Sequence, residues 1–158
     1  GSEVMPMEGS ELRGFLEEIR LCHWATVDPE GRPRVRPLWY LYDDRAFWFT
    51  TRLESRRTGT DVAAGSSVAV SIASEERPYR AVILHGTPAV WEEDREVWLE
   101  RIATRYGDAE GRRWLAGALK EPDRVVLRLI PDTMITWNYA RGDYHLMQTG
   151  ESLRADLP

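Results

Sequence analysis

Residues 22–57 read CHWATVDPEGRPRVRPLWYLYDDRAFWFTTRLESRR, and this stretch decides the fold. Cys22–Val27 reads as a short strand closed by Asp28-Pro29-Glu30-Gly31. That tetrad is a turn by chemistry, because proline presets one backbone angle and glycine tolerates positive φ. A second strand is predicted from about Arg34 to Tyr42, and Asp43-Asp44 turns it into a third, Ala46–Thr51. Together these form an antiparallel meander. Side chains alternate along a strand, so Arg34, Arg36, Leu38 and Tyr40 share one face, and Val35, Pro37, Trp39 and Leu41 the other. Pro37 has no N–H for a ladder and is expected at a bulge or an unpaired position.

Working outward, residues 10–20 read as a helix capped by Ser10, with Leu12, Phe15, Leu16 and Ile19 on one face. Downstream, residues 55–65 are a loop entering a short helix that stops at Gly65. Strands follow at Val68–Ala73 and Ala81–Val90, then helices at about 93–106 and 109–119, then strands at Arg124–Ile130 and Met134–Tyr139. Trp98 and Trp114 sit at helical spacing and read as core; Trp24 and Trp48 read as barrel filling. After Gly142 the apolar periodicity disappears. The reading is one domain over residues 1–158, with 1–9 and 143–158 as loose tails. Short strands joined by short turns favour a mainly β fold with flanking helices, an antiparallel barrel rather than a doubly wound parallel sheet. Closing a barrel also removes exposed sheet edges.

Composition excludes several classes. The chain has 158 residues, 42% hydrophobic and 30% charged, and no run reaches the ~18 apolar residues of a membrane span. The N-terminal stretch has no basic region leading into an apolar one, so a cytoplasmic protein is expected. A single cysteine, Cys22, excludes an internal disulfide. The net charge of −5 argues against nonspecific nucleic-acid binding. Within that acidic chain, seven arginines (32, 34, 36, 45, 52, 56 and 57) face three acids (Asp43, Asp44 and Glu54) between positions 32 and 57. A locally basic segment of this kind is a candidate for binding a small anion. No phosphate loop, GxGxxG or GxSxG is present. His23, His85 and His145 lack the paired spacing of a helical metal site, and no metal is expected.

What remains is a constellation. Arg34 and Arg36 share a strand face, Thr50 and Thr51 close the next strand, and Ser55, Arg56 and Arg57 open the following loop or helix. Arginine forks, hydroxyls and backbone N–H groups near a helix start each favour a bound phosphate. The same residues also suit solvated strand-edge arginines with a capping serine, and from these residues alone both readings stand.

The ordered set of features resembles the FMN-binding split-barrel family related to pyridoxamine 5'-phosphate oxidase. The likeness runs from Ala25 to Pro33 (AT-V-D-x-x-G-x-P), through Arg36, Phe49-Thr50-Thr51 and Ser55-Arg56-Arg57, to the strand at 68–72 and His85-Gly86-Thr87. It ends in VVLRLIPDTMITWNY at 125–139. The resemblance implies a homodimeric split barrel of Greek-key type that binds FMN, or in some branches the deazaflavin F420, between subunits. By the same resemblance Arg36, Thr50, Ser55, Arg56 and Arg57 contact the phosphate, with Arg34 and Thr51 beside them. Pro37, Leu38 and Trp39 border the isoalloxazine, and Trp137 or Tyr139 closes the site from the other subunit. It implies an FMN-dependent oxidoreductase acting on a small molecule. The alternatives are an F420-dependent reductase, whose longer acidic tail suits extra cations at Arg34 and Arg52, and a non-enzymatic flavin or haem carrier or sensor. Two positions depart from the family pattern: Arg57 replaces a lysine, and Ala81 stands where the oxidase has a glutamine near the ring. The Arg-rich C-terminal segment that holds a pyridoxal substrate is not evident, which argues against a vitamin B6 oxidase.

Overall fold

A computed structural model describes residues 6–43, 45–140, 145–149 (as backbone) and 157–158. Helix α1 spans Gly9–Glu17 and buries Leu12, Phe15 and Leu16. Its cap is Glu8, so Ser10 lies inside the helix instead of capping it. Ile19 falls beyond the helix end and is 65% exposed, outside the expected apolar face. The carbonyls of Leu16, Glu17 and Glu18, left without helical partners, accept hydrogen bonds from Arg105.

The strands follow as β1 (Cys22–Val27), β2 (Pro33–Leu38), β3 (Leu41–Asp43) and β4 (Ala46–Arg52). After helix α2 (Arg57–Ala63) come β5 (Val68–Ala73), β6 (Arg80–Gly86) and β7 (Ala89–Trp91). Helices α3 (Arg95–Arg105) and α4 (Asp108–Ala118) precede β8 (Arg124–Leu129), β9 (Thr133–Asn138) and β10 (His145–Thr149). They form a six-stranded sheet ordered β10-β9-β6-β5-β1-β2 and a four-stranded sheet ordered β3-β4-β8-β7. Every pairing is antiparallel. This is a barrel split into two sheets, as the class predicts, and the sheets do not close on each other.

Two expected long strands are each divided between the sheets. The stretch 34–42 breaks at Trp39-Tyr40, because the Tyr40 amide donates to the Tyr106 hydroxyl (3.0 Å), whose single proton is shared between the carbonyls of Arg20 (2.8 Å) and Tyr40 (3.2 Å). Groups held by a side chain are not available to a ladder. The stretch 81–90 breaks after Gly86, where a Cβ would meet Leu129 Cδ1 at 2.7 Å, and Pro88 has no N–H to offer. The meander expected from residues 22–51 is therefore two hairpins, β1–β2 in one sheet and β3–β4 in the other. Pro37 needs no bulge: it pairs with His23 in unbroken register, on an edge strand where proline is tolerated.

The main core lies between the sheets and includes Phe15, Trp24, Tyr40, Phe47, Phe49, Ile72, Leu84 and Leu127. A second cluster (Ala46, Trp48, Leu99, Ile102 and Val126) lies on the outer face of the four-stranded sheet, under α3 and α4. Trp48 is thus buried as expected but fills this outer layer, stacked on Trp98 at 3.6 Å, and does not fill the barrel. The expected loose tails need correction where they are described. Met7 and Leu157 are 1% and 4% exposed within the main core, the Tyr42 hydroxyl donates to the Pro158 carbonyl, and β10 pairs along β9. The rest of those tails lies outside the described residues. Among the described residues no helix is long and apolar enough to cross a membrane.

Candidate functional site

The cleft is built where β2 leaves the six-stranded sheet and passes the end of β4. One recess of about 230 Å³ is lined by Leu21, Arg36, Pro37, Leu38, Trp39, Thr50, Thr51, Arg56, Trp114 and Arg124. A second, of about 450 Å³, is lined by Arg34, Val35, Arg36, Ser55, Arg56, Arg57 and Thr58. Arg36 and Arg56 belong to both. The structure therefore brings together every sequence-selected site residue except Trp137. That residue lies on β9, separated from β2 by β6, β5 and β1, and meets Tyr139 edge-on at 6.5 Å.

Ion pairing sorts the arginines. Arg34 bonds Asp28 at 3.1 Å and Asp61 at 3.0 Å, two carboxylates 2% exposed. Asp28 also takes Arg32 at 2.8 Å. The backbone N–H of Arg32 holds the Asp28 carboxyl below its usual range, with the Arg32 side chain and the Glu30 amide adding to it. Arg52 bonds Glu121 at 2.7 Å and Asp123 at 2.9 Å. Arg36, Arg56 and Arg57 have no ion pair among the described residues, and they stand together at the cleft. Arg34 thus borders the second recess with its charge already neutralised, and Arg52 is neutralised beside it.

The loop carrying Ser55 and Arg56 is held by the start of the neighbouring strand, where Arg124 of β8 pairs with Arg52 of β4. Asp123 accepts the amides of Glu54 (3.2 Å) and Ser55 (2.9 Å), while its own carbonyl accepts the Leu53 amide at 3.0 Å. The Ser55 hydroxyl, followed by Arg52 and these amides, holds the Asp123 carboxyl well below the usual carboxylate range. A depressed folded pKa contributes stability that is fully present above the unfolded value of about 4 and is lost as pH falls through the folded value. Asp123→Asn is accordingly expected to lower the melting temperature at neutral pH and to shrink the gap to wild type as the pH is taken below about 4. Melting curves from pH 7 to pH 2 check this; parallel curves would show that the carboxylate does not carry the effect.

Five cleft residues escape the sequence reading: Leu21, Val35, Thr58, Trp114 and Arg124. Trp114 reads as core by its spacing, yet it is half-buried and tilts against Trp39 at 5.2 Å, which itself stacks on Tyr106 at 4.9 Å. Arg124 has nothing local to distinguish it from any strand-initial arginine. Only the return of the chain through α3 and α4 delivers both to the cleft. Two buried polar atoms in these walls, Thr58 Oγ1 and Arg124 Nε, have no hydrogen-bond partner. Among the described residues no group of three metal-ligating side chains occurs. His23 lies exposed, and His85 bonds Thr133 at 3.1 Å on the surface. Burial pushes the Cys22 thiol up to about 12, which leaves it unreactive at neutral pH.

Comparison with known proteins places the fold. The family model described as pyridoxamine 5'-phosphate oxidase matches residues 9–138. A conserved hypothetical protein from Mycobacterium tuberculosis superposes with a TM-score of 0.71 at 20% identity, covering 96% of this chain and 97% of that one. The heme storage protein HutZ from Vibrio cholerae gives 0.61 at 20% identity, covering 79% and 91%. An F420 reductase gives 0.59 at 24% identity, covering 77% and 94%. No curated protein shows a significant sequence match.

Proposed function

Because this chain belongs to the pyridoxamine 5'-phosphate oxidase family, we propose that it is an FMN-dependent oxidoreductase acting on a small molecule, with Arg36, Arg56 and Arg57 as its phosphate anchor. The observation that carries this reading is the convergence at one cleft of three guanidiniums without ion pairs, beside apolar and aromatic walls. A phosphate dianion supplies the charge these arginines lack, and guanidinium forks match its oxygens. Thr58 lines the same wall. Pro37, Leu38 and Trp39 offer a flat apolar border that orients a ring and keeps water from it. A bound flavin supplies the redox chemistry itself, which agrees with the missing acid–base and nucleophile motifs. FMN is favoured over F420 because Arg34 and Arg52, the cations suited to a longer tail, are neutralised by carboxylates.

The reading includes a homodimer. The four-stranded sheet is covered on its outer face by α3 and α4. The opposite face of the six-stranded sheet carries Val35 at 67% exposure and Val27 at 46%. An apolar sheet face of this kind marks an interaction surface, and a second copy lying on it is the way Trp137 or Tyr139 reaches a cleft.

Titration of the protein with FMN, riboflavin and F420, followed by quenching of each ligand's own fluorescence, tests the function. Saturable FMN binding, tighter than riboflavin by roughly 100-fold from the phosphate bonds, is expected on a particle of two chains. Reoxidation of chemically reduced bound FMN by an added organic acceptor then separates an enzyme from a carrier. Preferential F420 binding moves the assignment to the deazaflavin, and no binding of any of the three removes it.

A further inference from the structure

Two recesses meet at Leu21. The 230 Å³ recess bordered by Pro37, Leu38 and Trp39 ends there, and another of about 520 Å³ begins, with His23 in its wall. Alternation along β1 turns His23 outward, with Trp24 buried behind it. The antiparallel register sets His23 directly opposite Pro37 on one side and Ser71 on the other. Side chains so placed share a face with Cβ atoms about 5 Å apart. The imidazole therefore stands, exposed, beside the proline that borders the ring position. Among the described residues no hydrogen bond occupies either of its ring nitrogens.

The charges around His23 are mostly committed to one another. Beyond α1, Glu18 is held by Arg20 at 2.7 Å and by Arg80 of β6 at 3.0 Å. Both guanidiniums lie over the Phe15 ring, at 4.4 Å and 5.1 Å. Glu75 and Glu76, which follow β5, line the same recess with no ion pair among the described residues. The neighbouring strands present only Pro37 and Ser71 to His23. The ring cleft itself offers guanidiniums, hydroxyls and apolar walls, groups that do not trade protons near neutral pH, whereas imidazole does. We propose that the 520 Å³ recess takes the electron acceptor and that His23 is its proton donor. This rests on the FMN reading for the source of hydride. The acceptor is a small molecule with a conjugated carbonyl, a quinone being the simplest case. A hydride arriving at one end of the conjugated system moves the C=O π pair onto oxygen, and the His23 imidazolium gives that oxygen its proton. The acceptor gains two electrons, the cofactor that gave the hydride is oxidised, and the neutral imidazole takes a proton back from water. An external reductant, dithionite in the test below, restores the cofactor.

The test compares two acceptors. Protein loaded with FMN is reduced anaerobically with stoichiometric dithionite and mixed with menadione or with ferricyanide, and the return of FMN absorbance is followed. Menadione takes protons with its electrons; ferricyanide takes electrons alone and reports the ring without the donor. His23→Ala is expected to slow reoxidation by menadione about 100-fold, the usual worth of a positioned general acid, and to leave ferricyanide and FMN affinity within about twofold. The wild-type menadione rate is expected to fall as the pH rises from about 5 to about 8, because the imidazolium is the donor. The variant is expected to lose that dependence and to regain rate when free imidazole is added. A purely structural role for His23 moves both acceptors together and is not rescued by imidazole. Equal menadione rates in wild type and variant, or the same pH profile in both, overturn the role of His23 and leave the FMN assignment standing. Failure of the wild type to hold FMN overturns both.

Discussion

The double substitution Arg56→Ala with Arg57→Ala is expected to raise the FMN dissociation constant by about 100-fold or more and to leave lumiflavin binding within about twofold. Hydrogen bonds from a charged group contribute about 1.5–3 kcal/mol each, and about 1.4 kcal/mol is a factor of ten in affinity. Two lost guanidiniums at the low end therefore give about 3 kcal/mol. Neither side chain has an ion pair among the described residues, so no buried carboxylate is left without its partner and the apo protein should melt near the wild-type temperature. Arg34→Ala is the contrasting case: it leaves Asp61, 2% exposed at the side chain, without its arginine and takes one of two arginines from Asp28. Its effect falls on stability before it falls on binding. The FMN affinity of the wild type should also fall with added salt, and that dependence should be shallower in the double variant. Equal loss of lumiflavin and FMN would place Arg56 and Arg57 outside a phosphate anchor.

Gly59→Ala is expected to destabilise the protein by about 3 kcal/mol, lowering the melting temperature by about 6–12 °C at the usual conversion for this size. Helix propensity alone predicts the opposite sign, since alanine in a helix is favoured over glycine by about 1 kcal/mol. Geometry overrules propensity. A Cβ on Gly59 would lie 2.1 Å from the Arg52 carbonyl oxygen and 2.8 Å from its carbon. Those atoms are backbone and cannot rotate away as a side-chain end could. Arg52 itself is tied to Glu121 and Asp123, and the Arg56 amide bonds its carbonyl at 3.2 Å. Relief must come from moving α2 away from β4, which displaces the loop bearing Ser55, Arg56 and Arg57. A lowered melting temperature together with weakened FMN binding is the expected pair of results. A variant as stable as wild type would show that α2 does not need this close approach.

The candidate site was unusually legible because most of it is local. Arg36, Pro37, Leu38, Trp39, Thr50, Thr51, Ser55, Arg56 and Arg57 fall within about two strands and a loop, so chain order alone keeps them close. Strand alternation then put Arg36 on one side, and turn chemistry at Asp28–Gly31 set the start of β2. What this reading missed is non-local. Arg34 looks equivalent to Arg36 along the strand, both half-buried on the same face. Only the packing of α2 against β1 brings Asp61 to within 3.0 Å of Arg34, an ion pair that Arg36 does not share. Trp114 has the spacing of a core residue and Arg124 the look of a strand start, until the helical return carries both to the cleft.

The sequence by itself determined the class of structure and a local cluster of cations. Period-two patterning, Gly and Pro turns and the order of motifs specify short antiparallel strands with three cations beside a Thr-Thr strand end, because each depends on residues only a few positions apart. The tertiary structure decided the rest. Tyr106 captures the backbone of Tyr40, and Gly86 packs under Leu129; these contacts divide two apparent strands between two sheets. Met7 and Leu157, from opposite ends of the chain, enter one core, and Asp123, far along the chain but at the start of the strand paired with β4, holds the loop at 53–55. Hydrophobic patterning tells a residue to be buried without saying against what, and a charge does not reveal in sequence which opposite charge will neutralise it. Only the packed chain supplies those partners.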